Sequence, residues 1–172
     1  MQSYVHRPAR PEDLPVIVDI YNSTVASRVV TADTEPVTVA SREAWFADHN
    51  PRRRPLWIIH AAGDSSLQPA ILGWMSYSNF YGRPAYSGTA ELSIYIAEAW
   101  RGKGIGQYCL EQAIAFAPNI AVHTLLGFIF GHNEPSLGLF RKFGFDTWAN
   151  LPRVANLDGI ERDLIILGKR VA

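Results

Sequence analysis

Residues 101 to 106 read Arg-Gly-Lys-Gly-Ile-Gly and place three alternating glycines between a strand-like run and a helix-like run. Because glycine has no Cβ, the backbone can turn tightly there and direct several N–H groups towards one point. The first N–H groups of a helix also lack intrahelical partners and carry about half a positive charge. Arg101 and Lys103 add full positive charges. The segment therefore predicts a binding site for a pyrophosphate group.

Two common phosphate-binding motifs do not match this segment. The dinucleotide pattern Gly-x-Gly-x-x-Gly fails, because its last glycine falls on Gln107 when counted from Gly102 and on Cys109 when counted from Gly104. The acidic residue expected about twenty residues later is also missing. The nucleoside-triphosphate loop requires Gly-Lys-Ser/Thr, whereas Lys103 precedes another glycine. Both classes of nucleotide site are thereby excluded.

A third pattern, Arg/Gln-x-x-Gly-x-Gly/Ala, is met by Arg101, Gly104 and Gly106. A second block begins with Asn-Glu-Pro-Ser at 133–136 and continues as Leu-Phe-Arg-Lys-Phe-Gly-Phe at 139–145. Together these blocks resemble the GNAT superfamily of N-acetyltransferases. The likeness to its phosphinothricin acetyltransferase branch covers nearly the whole chain, through the segments 20–22, 34–38, 44–46, 89–95 and 162–164.

The resemblance implies acetyl-CoA as cosubstrate and no metal. In this family the strand before the glycine loop and the strand after its helix separate, and the pantetheine arm of the coenzyme lies between them like an extra strand. The implied backbone contacts to this arm come from Ile94, Tyr95 and Ile96. Asn133 resembles a position whose side chain contacts the arm, although its residue type also suits a helix N-cap. The implied pyrophosphate contacts are Arg101, Gly102, Lys103, Gly104, Ile105, Gly106 and Gln107.

Glu91 is the candidate general base. It lies in an apolar strand-like run, where an acidic side chain costs free energy unless it is solvated or paired. The resemblance puts it at the catalytic position that faces the acceptor amine. Desolvation would raise its pKa towards neutrality, and general base catalysis contributes roughly 10²–10⁴ in rate. The alternative from the residues alone is an outward-facing strand glutamate.

No general acid is assigned, because Phe140 stands where many relatives have tyrosine or histidine. A thiol with a pKa of about 8.5 can leave as the thiolate without a proton donor. The helical spacing of Cys109 with its apolar neighbours predicts a core position. The resemblance implies direct transfer of the acetyl group, so no acyl-cysteine is expected. His132 lies in a predicted loop, where we expect it to be exposed to solvent.

The acceptor site is expected to involve Tyr81, Arg83, Glu91, Leu92 and Ser93. Relatives of the phosphinothricin type carry Phe-Arg before the glutamate strand, whereas this chain has Tyr81 in place of that arginine and Leu92 in place of a histidine. The resemblance implies acetyl transfer to the primary amine of a small molecule, an amino acid or a toxic analogue of the phosphinothricin or methionine sulfone/sulfoximine type. The alternatives are a peptide or protein N-terminus as acceptor, and a non-catalytic acyl-CoA-binding module.

The elements that must position these residues alternate as βααβββαβαββ. We expect an α+β fold with a largely antiparallel mixed sheet of about seven strands, flanked by helices and splayed between the fourth and fifth strands. The predicted strands are 4–7, 56–62, 71–80, 89–96, 125–130, 146–154 and 162–169. The predicted helices begin near residue 11 and span 41–49, 104–117 and 135–143.

Composition limits the remaining possibilities. The chain has 172 residues, 48% of them hydrophobic, which suits one domain over residues 1–172. Its 16 basic and 16 acidic side chains cancel, so no bulk field favours nucleic acid or an anionic membrane. The single cysteine excludes an internal disulfide, and no apolar signal core or membrane-length run occurs, so we expect a cytoplasmic protein. The family likeness also implies a homodimer, with Trp45, Trp100 and Trp148 as candidate contacts.

Overall fold

The computed structural model describes residues 3–172, which form seven β-strands and four α-helices in the predicted order. The strands are β1 (Tyr4–Pro8), β2 (Leu56–Ala61), β3 (Gly73–Asn79), β4 (Thr89–Ile96), β5 (Thr124–Phe130), β6 (Asp146–Leu157) and β7 (Ile160–Arg170). The helices are α1 (Leu14–Val25), α2 (Val39–Ala47), α3 (Ile105–Phe116) and α4 (Glu134–Lys142). Within the described residues, none of these helices is long and apolar enough to cross a membrane.

The strands form one sheet in the order β1-β2-β3-β4-β5-β7-β6. All neighbouring strands are antiparallel except β4 and β5, which are parallel. The expectation of a largely antiparallel, mixed sheet of about seven strands is therefore confirmed.

The parallel pair separates soon after it forms. β4 pairs with β5 only over residues 89–91, opposite residues 124–126. Beyond that point β4 stays paired with β3 as far as Ile96, and β5 stays paired with β7 as far as Phe130. The facing edges of β4 and β5 are consequently unpaired, and the predicted splay between the fourth and fifth strands is confirmed.

Helices cover both faces of the sheet. Buried residues of α3 and α4, such as Leu110 and Leu137, pack in the main core with Met75 and Leu92. On the other face, α1 and α2 cover a second cluster around Trp74, whose indole N–H donates to the carbonyl of Ile17 at 3.1 Å. The central strands are thus buried between two helical layers.

Strand alternation decides which residues of β4 face which layer. Ala90 and Leu92 are buried in the core beneath α3 and α4. Tyr95 lies on the opposite face, where its ring stacks on Trp74 with the centroids 4.5 Å apart. Glu91 has the same parity as Tyr95 and therefore faces the side of α1 and α2.

Two element boundaries differ from the predictions for identifiable reasons. Helix α2 begins at Val39 instead of Ser41, because the hydroxyl of Thr38 accepts a hydrogen bond from the N–H of Ser41 and caps the helix. β6 and β7 extend further towards each other than predicted, because Asp158 and Gly159, both with positive φ, join them in a two-residue turn.

A partly buried ion pair connects β1 to the start of α1. Arg7 donates two hydrogen bonds to the carboxylate of Asp13, at 2.7 and 2.9 Å, and the backbone N–H of Arg10 donates a third at 2.7 Å. Asp13 is only 5% exposed. Burial acts to raise the pKa of Asp13, but the bonds from Arg7 and Arg10 and the charge of Arg7 bring it below its ordinary value of 3.8.

We expect Asp13→Asn to lower the free energy of unfolding by about 1–3 kcal/mol at pH 7, since charge-assisted hydrogen bonds are lost in a buried site. The folded-state pKa lies below the unfolded one, so this stabilisation is complete above the unfolded pKa and is lost as pH falls through the folded pKa. Urea unfolding at pH 7 and near pH 2 measures both effects. The exposed neighbour provides a control, because Glu12→Gln should change the free energy little. A difference between wild type and Asp13→Asn that stays constant with pH would contradict this assignment.

Candidate active site

The separation of β4 and β5 opens a continuous groove made of two adjoining cavities. The glutamate cavity, of about 500 Å³, contains Glu91. The loop cavity, of about 510 Å³, contains the glycine segment that follows β4. The residues that border both cavities are Val30, Ile94, Tyr95, Ile96, Asn133, Ser136 and Leu139. A ligand that follows the unpaired edge of β4 would therefore pass from one cavity into the other.

The glycine segment adopts the conformation that its sequence predicts. Gly102 and Gly104 have φ values of 72° and 88°. Apart from each glycine and its chain neighbours, no atom of the described residues lies within 4 Å of where a Cβ would be. Glycine is required at these two positions because of their left-handed backbone conformation, and not because a side chain would clash with a neighbour. Gly104 is the N-cap residue of α3, so the free N–H groups of the first helical turn lie beside the loop cavity.

Most residues predicted to bind the coenzyme border the groove. Lys103 is not among the residues that border the two cavities. Its ammonium group lies 4.5 Å from the ring centre of Trp100, and its carbonyl accepts a hydrogen bond from the hydroxyl of Tyr4. Its side chain thus packs on an aromatic ring. Ile94, Tyr95, Ile96 and Asn133 border both cavities, while Arg101, Gly102, Gly104, Ile105, Gly106 and Gln107 border the loop cavity.

Asn133 serves as the N-cap of α4. Its side-chain oxygen accepts a hydrogen bond from the N–H of Ser136 at 3.3 Å, and the residue is only 5% exposed. The cap uses only the oxygen of the amide, so the NH₂ group of a residue that borders both cavities remains a donor for a ligand. Capping and ligand contact can therefore coexist at Asn133.

Glu91 combines burial with the absence of a fixed partner. Its register partners are Ser78 on β3 and Leu126 on β5, and among residues 3–172 it forms no ion pair. Burial raises the pKa of Glu91 above its ordinary value of 4.5. A partly desolvated carboxylate without a competing cation can accept a proton from a bound ligand.

The walls of the glutamate cavity come from segments that sequence reasoning did not identify. The connection between α1 and α2 contributes Val30, Thr31 and Ala32, and strands β5, β6 and β7 contribute Phe128, Phe130, Val154, Ala155 and Leu164. These residues are far apart in the chain and share no local motif. The alternation of β5 could have placed Phe128 and Phe130 on one face, but the register that brings this face beside Glu91 is a tertiary property.

The predicted acceptor residues occupy different places. Glu91, Leu92 and Ser93 border the glutamate cavity, although Leu92 is 3% exposed and packs mainly in the core. Tyr81 is 65% exposed and lies in an aromatic cluster with Phe80 and Tyr86. Arg83 borders a separate cavity of about 240 Å³. The loop before β4 therefore contributes neither Tyr81 nor Arg83 to the glutamate cavity within one chain.

Phe140 borders the glutamate cavity and packs directly on β5. It can approach so closely because Gly127 has no side chain; a Cβ there would lie 2.6 Å from the Phe140 ring. The ring also contacts Phe145, with the centroids 4.9 Å apart. Phe140 thus shapes the cavity but has no proton to donate.

Two other reactive side chains take structural roles. Cys109 is 1% exposed in the core, and burial raises the pKa of its thiol to about 12. His132 is half-buried instead of exposed, because its Nε2 lies 2.8 Å from the carbonyl oxygen of Arg28 and its ring stacks on Phe130. Residues 3–172 contain no group of three or more His, Cys, Asp or Glu side chains that could hold a metal ion.

The three tryptophans considered for a dimer contact differ in exposure. Trp45 packs on Trp74 with the ring centroids 5.5 Å apart, and Trp100 packs against the core. Trp148 is 49% exposed. The homodimer stays a prediction, for which Trp148 is the most accessible of the three.

Comparisons with known proteins agree with this geometry. The family model described as an acetyltransferase (GNAT) domain matches residues 5–146. A Bacillus subtilis protein, named provisionally as a phosphinothricin acetyltransferase, is 50% identical over 96% of this chain and 98% of its own. The L-methionine sulfoximine/L-methionine sulfone acetyltransferase of Pseudomonas aeruginosa is 33% identical over 94% of this chain and 91% of its own. A crystal structure, also named provisionally as a phosphinothricin N-acetyltransferase, matches with a TM-score of 0.91 and 49% identity over 99% of each chain.

The burial of Cys109 leads to a prediction about thiol chemistry. We expect the folded protein to react with a thiol reagent only on unfolding, because the thiol is inaccessible and remains protonated at neutral pH. Cys109→Ala should retain the turnover rate and lose about 1–2 kcal/mol of stability through the smaller side chain. Reagent titration with and without denaturant measures the first effect. Rapid modification of the native protein, or loss of turnover in a folded variant, would contradict it.

Proposed function

We propose that this chain, which belongs to the GNAT acetyltransferase family, transfers the acetyl group of acetyl-CoA to the primary amine of a small molecule. The observation that carries the proposal is the groove: a glycine loop at a helix N-terminus and an unpaired strand edge lead to a half-buried carboxylate. These are the parts that a coenzyme clamp and a general base require.

The acceptor that we propose is an amino acid or a toxic amino-acid analogue of the phosphinothricin or methionine sulfone/sulfoximine type. Support comes from the names of relatives that align with this chain over nearly their full length. The glutamate cavity also suits such a molecule, because Phe128, Phe130 and Val154 offer an apolar wall for a side chain of modest size.

Acetyl-CoA would lie along the groove. The N–H groups from Gly102 to Gln107, with Arg101, would hold the pyrophosphate at the start of α3. The pantetheine arm would run along residues 94–96 of β4, whose edge towards β5 has no strand partner. The thioester would then lie at the glutamate cavity, where β4 and β5 begin to separate.

Glu91 would then act as the general base, taking a proton from the acceptor ammonium directly or through a water molecule. The neutral amine attacks the thioester carbonyl carbon and a C–N bond forms. As the C–S bond breaks, the nitrogen loses its second proton to solvent, which leaves a neutral amide. Backbone N–H groups of β4 are the nearest candidates to stabilise the carbonyl oxygen as it becomes negative. The sulfur leaves as a thiolate, since Phe140 has no proton to give it.

A panel of acceptors tests the activity. Thiol release from acetyl-CoA would be measured with amino acids, methionine sulfone and sulfoximine, phosphinothricin, polyamines and short peptides. We expect turnover confined to the amino acids and their analogues. Turnover of peptides alone would show that the acceptor is a peptide N-terminus and not a free amino acid. Saturable binding of acetyl-CoA without turnover of any compound would support a non-catalytic binding module.

We expect Glu91→Gln to reduce kcat by roughly 10²–10⁴ while the Kd for acetyl-CoA stays within about two-fold, because the amide keeps the shape of the side chain but cannot take a proton. Glu111→Gln, which changes an exposed glutamate of α3, is the matched control and should keep the wild-type rate. A variant at Glu91 that retains the wild-type rate would remove it from the role of base.

The pH profile provides a second readout of Glu91. Only the ionised carboxylate of Glu91 can act as a base, so kcat/KM of the wild type should rise with pH. The inflection should lie above pH 4.5, because burial raises the pKa of Glu91 above this ordinary value. Glu91→Gln should lose this inflection along with most of its rate. An unchanged profile in the variant would show that another group titrates.

The left-handed conformation of Gly104 leads to a prediction for the coenzyme. We expect Gly104→Ala to raise the Kd for acetyl-CoA roughly five- to thirty-fold, because a side chain costs about 1–2 kcal/mol at this φ and the loop must change to relieve it. Gly63→Ala is the matched control, since Gly63 has a φ of 84° and open space around it but lies between β2 and β3. Calorimetric titration should show a weaker Kd only for Gly104→Ala; equal effects in both variants would indicate a general loss of stability.

A further inference from the structure

We propose that Arg28, Asp158 and His132 are positioning residues that hold two walls of the glutamate cavity together and so set the affinity for the acceptor. We call these three residues the Arg28 bridge. The inference rests on the proposed function, because it takes the glutamate cavity as the acceptor site.

Regular strand pairing does not align the two walls of the cavity with each other. One wall belongs to residues 26–38, the connection between α1 and α2, which contains no helix or strand. The other belongs to β6, which lies at the edge of the sheet and, among residues 3–172, pairs with β7 alone. The pairing register of β6 is broken between Leu151 and Ala155, and Val154 lies within this break. Side-chain contacts must therefore help to keep the two walls in place.

Arg28 connects the first wall to the tip of the β6–β7 hairpin. Its Nε donates to one carboxylate oxygen of Asp158 at 2.7 Å, and its Nη2 donates to the other at 3.3 Å, across 130 positions of the chain. Its Nη1 donates to the carbonyl of Val25 at 2.9 Å, which anchors the guanidinium to the end of α1. The ion pair thus joins the end of a helix to a hairpin turn.

His132 fixes the backbone at the same point. The carbonyl oxygen of Arg28 can only accept, so the Nε2 of His132, 2.8 Å away, carries the proton and donates it. His132 follows β5 directly, and its ring stacks on Phe130. The bridge therefore attaches residue 28 both to the hairpin and to the central sheet, two positions before the wall residue Val30.

The far end of the α1–α2 connection has its own attachments. Asp33 pairs with Arg42 at 2.9 Å and contacts the hydroxyl of Tyr21, and the amide of Asn22 exchanges two hydrogen bonds with the backbone of Val37. Loss of the Arg28 bridge would leave these contacts in place. The connection should then stay folded but lose the alignment of Val30, Thr31 and Ala32 with the hairpin wall.

Steady-state kinetics of Asp158→Asn test the proposal. We expect the KM for the acceptor to rise about two- to five-fold, the range that an exposed ion pair allows, with kcat nearly unchanged. The KM for acetyl-CoA should change less, because the coenzyme is also held by the glycine loop and β4. In the wild type, high salt should raise the acceptor KM, since it screens the pair, and in the variant it should not. Equal changes in both KM values, or none in either, would overturn the proposal.

Matched variants separate the bridge from general effects on the hairpin. Glu161 forms an exposed ion pair with Arg153, and both residues belong to the β6–β7 hairpin. Glu161→Gln removes this pair without affecting the contact to residue 28, so the variant should leave the acceptor KM unchanged. The exchanged pair Arg28→Asp/Asp158→Arg should recover part of the lost affinity. His132→Phe keeps a stacking ring but lacks the donor and should raise the acceptor KM, whereas His132→Gln can still donate and should resemble the wild type. The bridge would be contradicted if the exchanged pair recovered no affinity, or if His132→Phe and His132→Gln had the same acceptor KM.

Hydrogen exchange distinguishes failure of the bridge from failure of the proposed function. Asp158→Asn should increase amide exchange in residues 26–32 and 152–158 while the core strands stay protected. If no acceptor is turned over, the proposed function fails and this measurement still tests the bridge. If acceptors are turned over but neither exchange nor the acceptor KM responds, the bridge alone is wrong.

Discussion

The parallel pairing of β4 with β5 ends after residues 89–91, and the position of this end determines the groove. Each strand keeps its other neighbour along its length, so β4 and β5 remain part of one sheet while their facing edges separate. A buried backbone group without a partner costs about 1–3 kcal/mol, so such edges persist only where water or a ligand can satisfy them. Continued pairing to the ends of both strands would close the space in which the two cavities lie. Glu91 is the last residue of β4 to have a partner on β5, which puts its carboxylate where the opening begins.

Glycine serves two physical purposes around this opening. At Gly102 and Gly104 the need is a left-handed backbone, and the space around both residues is open. At Gly106 and Gly127 the need is space: a Cβ would lie 2.7 Å from Leu139 on α4 in the first case and 2.6 Å from Phe140 in the second. The first pair shapes the loop, and the second pair lets α4 approach α3 and β5. The two sequence blocks that suggested the family therefore lie side by side because small residues allow their helices to meet.

Local sequence was enough to predict the order of the elements and the conformation of the glycine loop that borders the loop cavity. Glycine spacing, strand alternation and helix caps act over a few residues, so they can be read directly; Asn133 as a cap and Cys109 as a core residue are examples. The far walls of the glutamate cavity were harder to predict, because Ala32, Phe128 and Val154 meet only through the sheet order and register. His132 was placed wrongly for the same reason, since its partner Arg28 lies 104 positions away. Lys103 fits a phosphate-binding motif by position, yet the nearby ring of Trp100 attracts its ammonium group.

The broken register of β6 also bears on how the protein behaves at high concentration. An edge strand with regular, exposed backbone groups offers a template on which another molecule can add a strand and begin to aggregate. β6 lies at an edge of the sheet, but its row of backbone donors and acceptors is not regular. The break in register between Leu151 and Ala155, which includes Pro152, interrupts this row. The opposite edge, β1, has only five residues and ends at Pro8. Both margins of the sheet are thus poorly suited to strand addition, so the irregularity that shapes the cavity wall also makes aggregation through the sheet edges less favourable.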